Sequence, residues 1–99
     1  MIKGTTNSGF DFEVNEKVVT GDYRFTRAVA RMKMASPGEA IVLGDAAISM
    51  LLDDDQQEKL FEHLEKKSPD HLASNEAVVR EFTEIIQIAA EKSKEIKNS

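Results

Sequence analysis

The densest run of ionisable side chains is Asp53-Asp54-Asp55, followed by Glu58, Glu62 and Glu65. Carboxylates clustered in this way hold calcium when they sit in an EF-hand loop, which needs a glycine near its middle and an acid at its close. Counted from Asp53, those two places hold Glu58 and Leu64, so the loop is absent. The run reads instead as the cap of a helix, where acids suit the positive end of the dipole. His63 and His71 are the only histidines, and there is no cysteine. Separated by Pro69 and lacking further ligands, they predict no zinc site, and disulfides are excluded. Asp45 stands alone in an apolar run and could act as an acid with a raised pKa. No second ionisable group is placed to share that chemistry, so it reads as a polar notch facing water or as the partner of an arginine. Neither a nucleophile elbow nor a glycine-rich phosphate loop occurs, and Gly4, Gly9, Gly21, Gly38 and Gly44 are scattered. No catalytic, cofactor-binding or metal-binding residue is expected. What remains is a protein that acts by binding other proteins.

Three features could carry that binding. Arg24, Arg27 and Arg31 are spaced by three and four, which makes them contiguous on a helix. Such a stripe is either an ordinary solvated face or a surface for an acidic partner or tRNA-like nucleic acid. Val79 and Ile86 lie beside the main apolar stripe of the last helix, and Ile88 falls among Glu81, Glu84, Glu91 and Glu95 on the other side. An N-terminal hairpin is the third feature, because free strand edges accept a further strand.

These side chains need elements to hold them. Phe10, Phe12 and Val14 alternate with Asp11 and Glu13, the period of a half-buried strand. Asn7-Ser8-Gly9 suits a short hairpin loop with glycine in the left-handed conformation, so residues 1–15 are expected to form a β-hairpin packed on the chain's own helices. Thr20-Gly21-Asp22 breaks the chain and offers a cap for a helix over 22–34, in which Phe25, Ala28, Val29 and Met32 share the core face. Ser36-Pro37-Gly38-Glu39 starts a second helix over 37–52, apolar nearly all round and so expected at the centre of the bundle. The acidic run caps a third over 54–67, closed by Lys66, Lys67 and Ser68-Pro69. Ser74 caps a fourth over 75–96, with Val78, Phe82, Ile85, Ala89 and Ile96 on one face. The expected fold is mainly α with a small β part (α+β): one domain, a hairpin followed by a compact bundle of about four helices.

Composition agrees with a globular domain, 40% apolar and 31% charged. Its 99 residues suffice for one core. The formal charge of −5 disfavours general nucleic-acid binding. That charge is uneven. Residues 20–34 hold Arg24, Arg27, Arg31 and Lys33 against Asp22, a net +3, whereas 53–73 hold seven acids against Lys59, Lys66 and Lys67, a net −4. The two segments pair within the fold, or one of them faces a partner. Neither a membrane span nor a signal peptide is evident, and the expected location is the cytoplasm.

The opening Ile2-Lys3-Gly4-Thr5-Thr6-Asn7-Ser8-Gly9-Phe10-Asp11-Phe12-Glu13-Val14 resembles the start of small tail-cluster proteins from siphophages and prophages of Gram-positive bacteria. Asp22-Tyr23-Arg24-Phe25 and Leu60-Phe61-Glu62-His63-Leu64 fit the same setting. In size and layout the chain is similar to the phage tail assembly chaperones. That resemblance implies a non-enzymatic role in the host cytoplasm: binding the tape measure protein during tail morphogenesis and helping to recruit the tail tube protein. Many copies on one client would raise avidity, so a homo-oligomer formed through hairpin edges or helix faces is a further expectation. It implies no catalytic residue. Two rival readings are a structural head–tail connector or tail-completion protein, and a small nucleic-acid-binding regulator using the arginine helix.

Overall fold

The computed structural model describes residues 1–98, and the surroundings of side chains 1–95. Ile96, assigned above to the apolar face of the last helix, falls outside the described side chains, and Ser99 outside the described residues. A two-stranded antiparallel hairpin, β1 (Ile2–Thr5) and β2 (Asp11–Val14), precedes the helices. Helices α1 (Glu16–Gly21), α2 (Tyr23–Met32), α3 (Pro37–Leu51), α4 (Asp54–Lys67) and α5 (Asn75–Asn98) follow. None of them is long and apolar enough to cross a membrane.

The hairpin follows the alternation in its sequence. Phe10, Phe12 and Val14 are buried and Asp11 is exposed. Ile2 pairs with Val14 and Gly4 with Phe12. The Gly9 N–H donates to the Thr6 carbonyl and the Thr6 N–H to the Phe10 carbonyl, each at 2.9 Å. Gly9 takes a φ of +93°, the left-handed conformation that the loop needs and that a side chain would oppose. Gly4 serves a different end. A Cβ there would lie 2.6 Å from Phe12 Cζ and 2.9 Å from Ile88 Cγ2, so the strand sits on α5 at a distance that only glycine allows.

One helix was not expected. Residues 16–21 form α1, capped by the Asn15 side chain, which accepts from the Lys17 N–H at 2.9 Å. Its Val18 and Val19 pack half-buried against the core. Asp22 then serves two helices. Its N–H closes α1 on the Val18 carbonyl at 3.2 Å, while its carboxylate opens α2 by accepting from the Arg24 N–H at 2.9 Å. The Thr20-Gly21 break thus lies inside the end of a helix.

The bundle has α2 packed on α3, α3 on α5, and α4 against α5 and the hairpin. Its core joins Phe25 and Ala28 of α2, Ala47, Ile48 and Leu51 of α3, Leu60 and Leu64 of α4, and Phe82, Ile85, Ile86 and Ala89 of α5. Ser36, Asp53 and Ser74 cap α3, α4 and α5 as their sequence positions predict. The expectation that α3 is covered all round needs correction. Gly44, Ala47, Ile48 and Leu51 face the core, but Ile41 is 43% exposed and Val42 69%. Apolar content placed α3 at the centre. Its neighbours cover only one side of its first two turns.

Candidate protein-binding surface

The uncovered turns of α3 stand between two apolar hollows. On one side, Ile41 and Val42 face Phe61 of α4 and Val78 and Val79 of α5 across a cleft of about 310 Å³, with Phe82 in its lining. Asp45 and Asn75 supply its polar lining. On the other side, Val42 and Leu43 face Ala30, Met34 and Ala35 across a groove of about 700 Å³ bordered by Arg27, Arg31 and Glu39. Met34, just past the end of α2, is 91% exposed. Val42 lines both hollows, so the apolar surface runs from α2 across α3 to α5. Its continuity separates it from singly exposed apolar residues, which are ordinary on any protein. A third depression, along the hairpin and α4, carries Lys3, Lys59 and Lys92 against Asp11, Glu13 and Asp53 and so has no net charge.

Of the side chains singled out by sequence, Val79 lies in the α3–α4–α5 cleft. Arg27 and Arg31 border the α2–α3 groove, and Arg24 is exposed at the start of α2. The Arg27 guanidinium also sits 5.6 Å from the Tyr23 ring centroid, within cation–π range. Ile86 is 7% exposed and belongs to the core, where it presents no free surface. Ile88 is half-buried against Gly4 of the hairpin. The glutamate-rich side of α5, which reads as solvated in sequence, is where the hairpin docks.

That docking explains an unexpected buried carboxylate. Glu81 is 4% exposed and accepts hydroxyl hydrogen bonds from Thr6 and, at 2.6 Å, from Ser8. Glu84 accepts from the Asn7 N–H. The His63 Nε2 lies 3.1 Å from both the Ser8 Oγ and the Ser8 carbonyl oxygen, and its ring tilts against Phe10 at 5.8 Å. A serine, a histidine and a carboxylate thus meet, but in an order that cannot activate the serine. An Nε2 facing a carbonyl carries a proton and has no lone pair for the Ser8 hydroxyl, and the carboxylate binds the serine, not the histidine. The cluster anchors the hairpin loop to α4 and α5. No sequence signal beyond the two loop hydroxyls points to Glu81.

Gln56 of α4 secures the hairpin's second edge. Its Oε1 accepts from the Glu13 N–H at 2.8 Å and its Nε2 donates to the Glu13 carbonyl at 2.9 Å, so one side-chain amide imitates a neighbouring strand. On the β1 edge the Lys3 carbonyl accepts from the Lys92 ammonium. Both strand edges, expected to be free for a partner, are partly occupied from within.

The basic and acidic helices do not pair inside the molecule. Among the described residues the ion pairs are Lys59–Asp55 and Arg80–Glu76, each 3.0 Å and each within one helix. Asp45 is exposed without an arginine partner among them. Also among the described residues, no three histidines or acids converge as a metal site would require. Compared with protein-family models, with curated proteins and with solved structures, the chain matches none.

Proposed function

We propose that this chain is a phage tail assembly chaperone, a non-enzymatic protein that binds apolar helical segments of the tape measure protein in the host cytoplasm while the tail is built. The observation that carries the reading is the continuous apolar surface on either side of Val42. A helical client meets an apolar ridge, Ile41 and Val42, beside a cleft sized for one or two aliphatic side chains. Full burial of such a side chain from water is worth about 1.5–3 kcal/mol, and covering Ile41, 43% exposed, and Val42, 69% exposed, gains about half of that for each. Association entropy offsets much of that gain, so one copy binds weakly and reversibly. Weak binding of many copies suits a chaperone that must leave as the tube closes. The acidic balance of the chain keeps the coated client in solution. The same resemblance brings the tail tube protein in as a second partner.

Co-expression with the tape measure protein of the same phage tests the reading. The two proteins co-purify, and an Ile41→Glu/Val42→Glu double variant, changed only at exposed positions, loses the client while keeping its helical spectrum. Failure to co-purify overturns the proposal, and so does full retention by the double variant. Mass spectrometry of purified virions separates this role from a head–tail connector, which stays in the particle.

A further inference from the structure

We propose that the groove between α2 and α3 takes an amphipathic helix whose apolar stripe is flanked along one side by acidic residues a turn apart, and takes it in one direction only. The inference rests on the client-binding reading above and adds which helices the surface accepts. Ala30, Met34, Val42 and Leu43 give the groove its apolar lining. Its two sides differ in charge. Arg27 and Arg31 stand on the α2 side and Glu39 on the α3 side. All three are exposed. A spacing of four sets the two arginines one turn apart on the same face of α2.

Among the described residues neither arginine meets a carboxylate, the ion pairs being Lys59–Asp55 and Arg80–Glu76. The Tyr23 ring, 5.6 Å from the Arg27 guanidinium, restrains that side chain, so it has less freedom to lose when it pairs. Acids at i and i+4 of a helix laid in the groove repeat at the same pitch as Arg27 and Arg31 and meet both guanidiniums, whose forked donors suit a carboxylate. Glu39 sets the opposite requirement on the other side, where an acid is repelled. The Ser36 hydroxyl donates to its Oε1 at 3.1 Å and keeps that charge at the start of α3. Turning a helix end for end, with its apolar stripe still on the groove, exchanges its two flanks. A helix with acids on one flank therefore fits in one direction, because the reverse sets its acids against Glu39 and leaves the arginines unmet. The net charge of −5 acts the other way, since at long range it draws basic clients. The groove thus prefers a charge opposite to the one that the whole molecule attracts.

Two synthetic helical peptides of about 18 residues probe the full chain, with binding read by fluorescence anisotropy. Both carry leucines at the i, i+3, i+4, i+7 spacing of a groove-binding helix. One has glutamates along one flank and glutamines along the other; the second has lysines in place of the glutamates. The wild type binds the glutamate peptide about tenfold more tightly. Arg27→Glu/Arg31→Glu reverses the order, whereas Lys66→Glu/Lys67→Glu, the same change of net charge at exposed positions of α4, keeps it. An unchanged circular dichroism spectrum confirms that each variant folds. A nitroxide on the N-terminus of the glutamate peptide broadens NMR signals at one end of α2, and at the other end when the glutamates are moved to the opposite flank. Equal binding of the two peptides, tighter binding of the lysine peptide, or no binding of either overturns the proposal. So does loss of the preference in the α4 variant, which would assign it to net charge, and broadening at both ends, which would remove the single direction. These failures leave co-purification with the tape measure protein unaffected. A chain that prefers the glutamate peptide yet captures no tape measure protein loses only the function proposed above.

Discussion

At the scale of single residues the hairpin loop carries the sharpest chemistry. Glu81 is buried with no ion-pair partner among the described residues and is held there by two hydroxyls, Thr6 and Ser8. Removing it by Glu81→Ala leaves both hydroxyls without their acceptor, which costs about 1–3 kcal/mol, whereas Glu81→Gln keeps an acceptor oxygen and loses less. Urea unfolding of the two variants reads the difference, and equal losses would show that the carboxylate's volume matters more than its hydrogen bonds. Asp70 offers a second test. The Ser68 hydroxyl and the Leu72 N–H, the latter at 3.3 Å, donate to its Oδ1 and hold its carboxyl below the usual carboxylate range. The folded midpoint therefore lies below the unfolded one. Its small contribution is present above the unfolded value and is lost as the pH falls through the folded one. An NMR titration is expected to place Asp70 below a free aspartate, and Ser68→Ala to move it back up.

At the scale of elements, the helix ends were the most legible part of the chain. Ser36 before Pro37, Asp53 before its acids and Ser74 before α5 each sit where a capping oxygen is needed, and each caps. Even here the detail differs: Glu39 takes the Ser36 hydroxyl at 3.1 Å and not the Ser36 N–H of a full capping box. The hairpin was legible for the same reason, since alternation and a glycine turn are local. Helix α1 was not, because Val18 and Val19 favour strands in isolation and one short turn shows no helical period. The candidate surface was legible only in part. Val79 and the arginines were visible from spacing, but Ile88 and the exposure of Val42 depend on which neighbour covers which face, a tertiary matter that no local pattern encodes. Asp22 belongs to this scale, since it ends one helix and begins another. Asp22→Ala removes the side-chain cap of α2 and costs about 1 kcal/mol, visible as a lower urea midpoint. Asp22→Asn keeps the capping oxygen and is expected to lose only a fraction of that. An unaffected alanine variant would show that α2 is held by packing alone.

At the scale of the whole molecule, the question is whether the hairpin decorates a helical bundle or completes one. Its buried side chains, Ile2, Phe10, Phe12 and Val14, form one core with α4 and α5, not a separate cluster. Full burial of each is worth about 1.5–3 kcal/mol, so the four together supply roughly 6–12 kcal/mol. A small domain has a total stability of only about 5–15 kcal/mol. Removing the hairpin also strips Glu81, Glu84 and Gln56 of their partners and opens the apolar side of α5 around Ile88 to water. Deletion of residues 1–14 is therefore expected to abolish the cooperative thermal transition while leaving partial helical signal, a state with secondary structure but without fixed packing. Differential scanning calorimetry distinguishes the cases. A sharp transition in the truncated chain would mean that the helices fold alone, and that the Val42 surface is carried by an independent bundle. A lost transition means that the strand pair holds α4 and α5 in register, and with them the cleft that α3 shares with Phe61 and Val79.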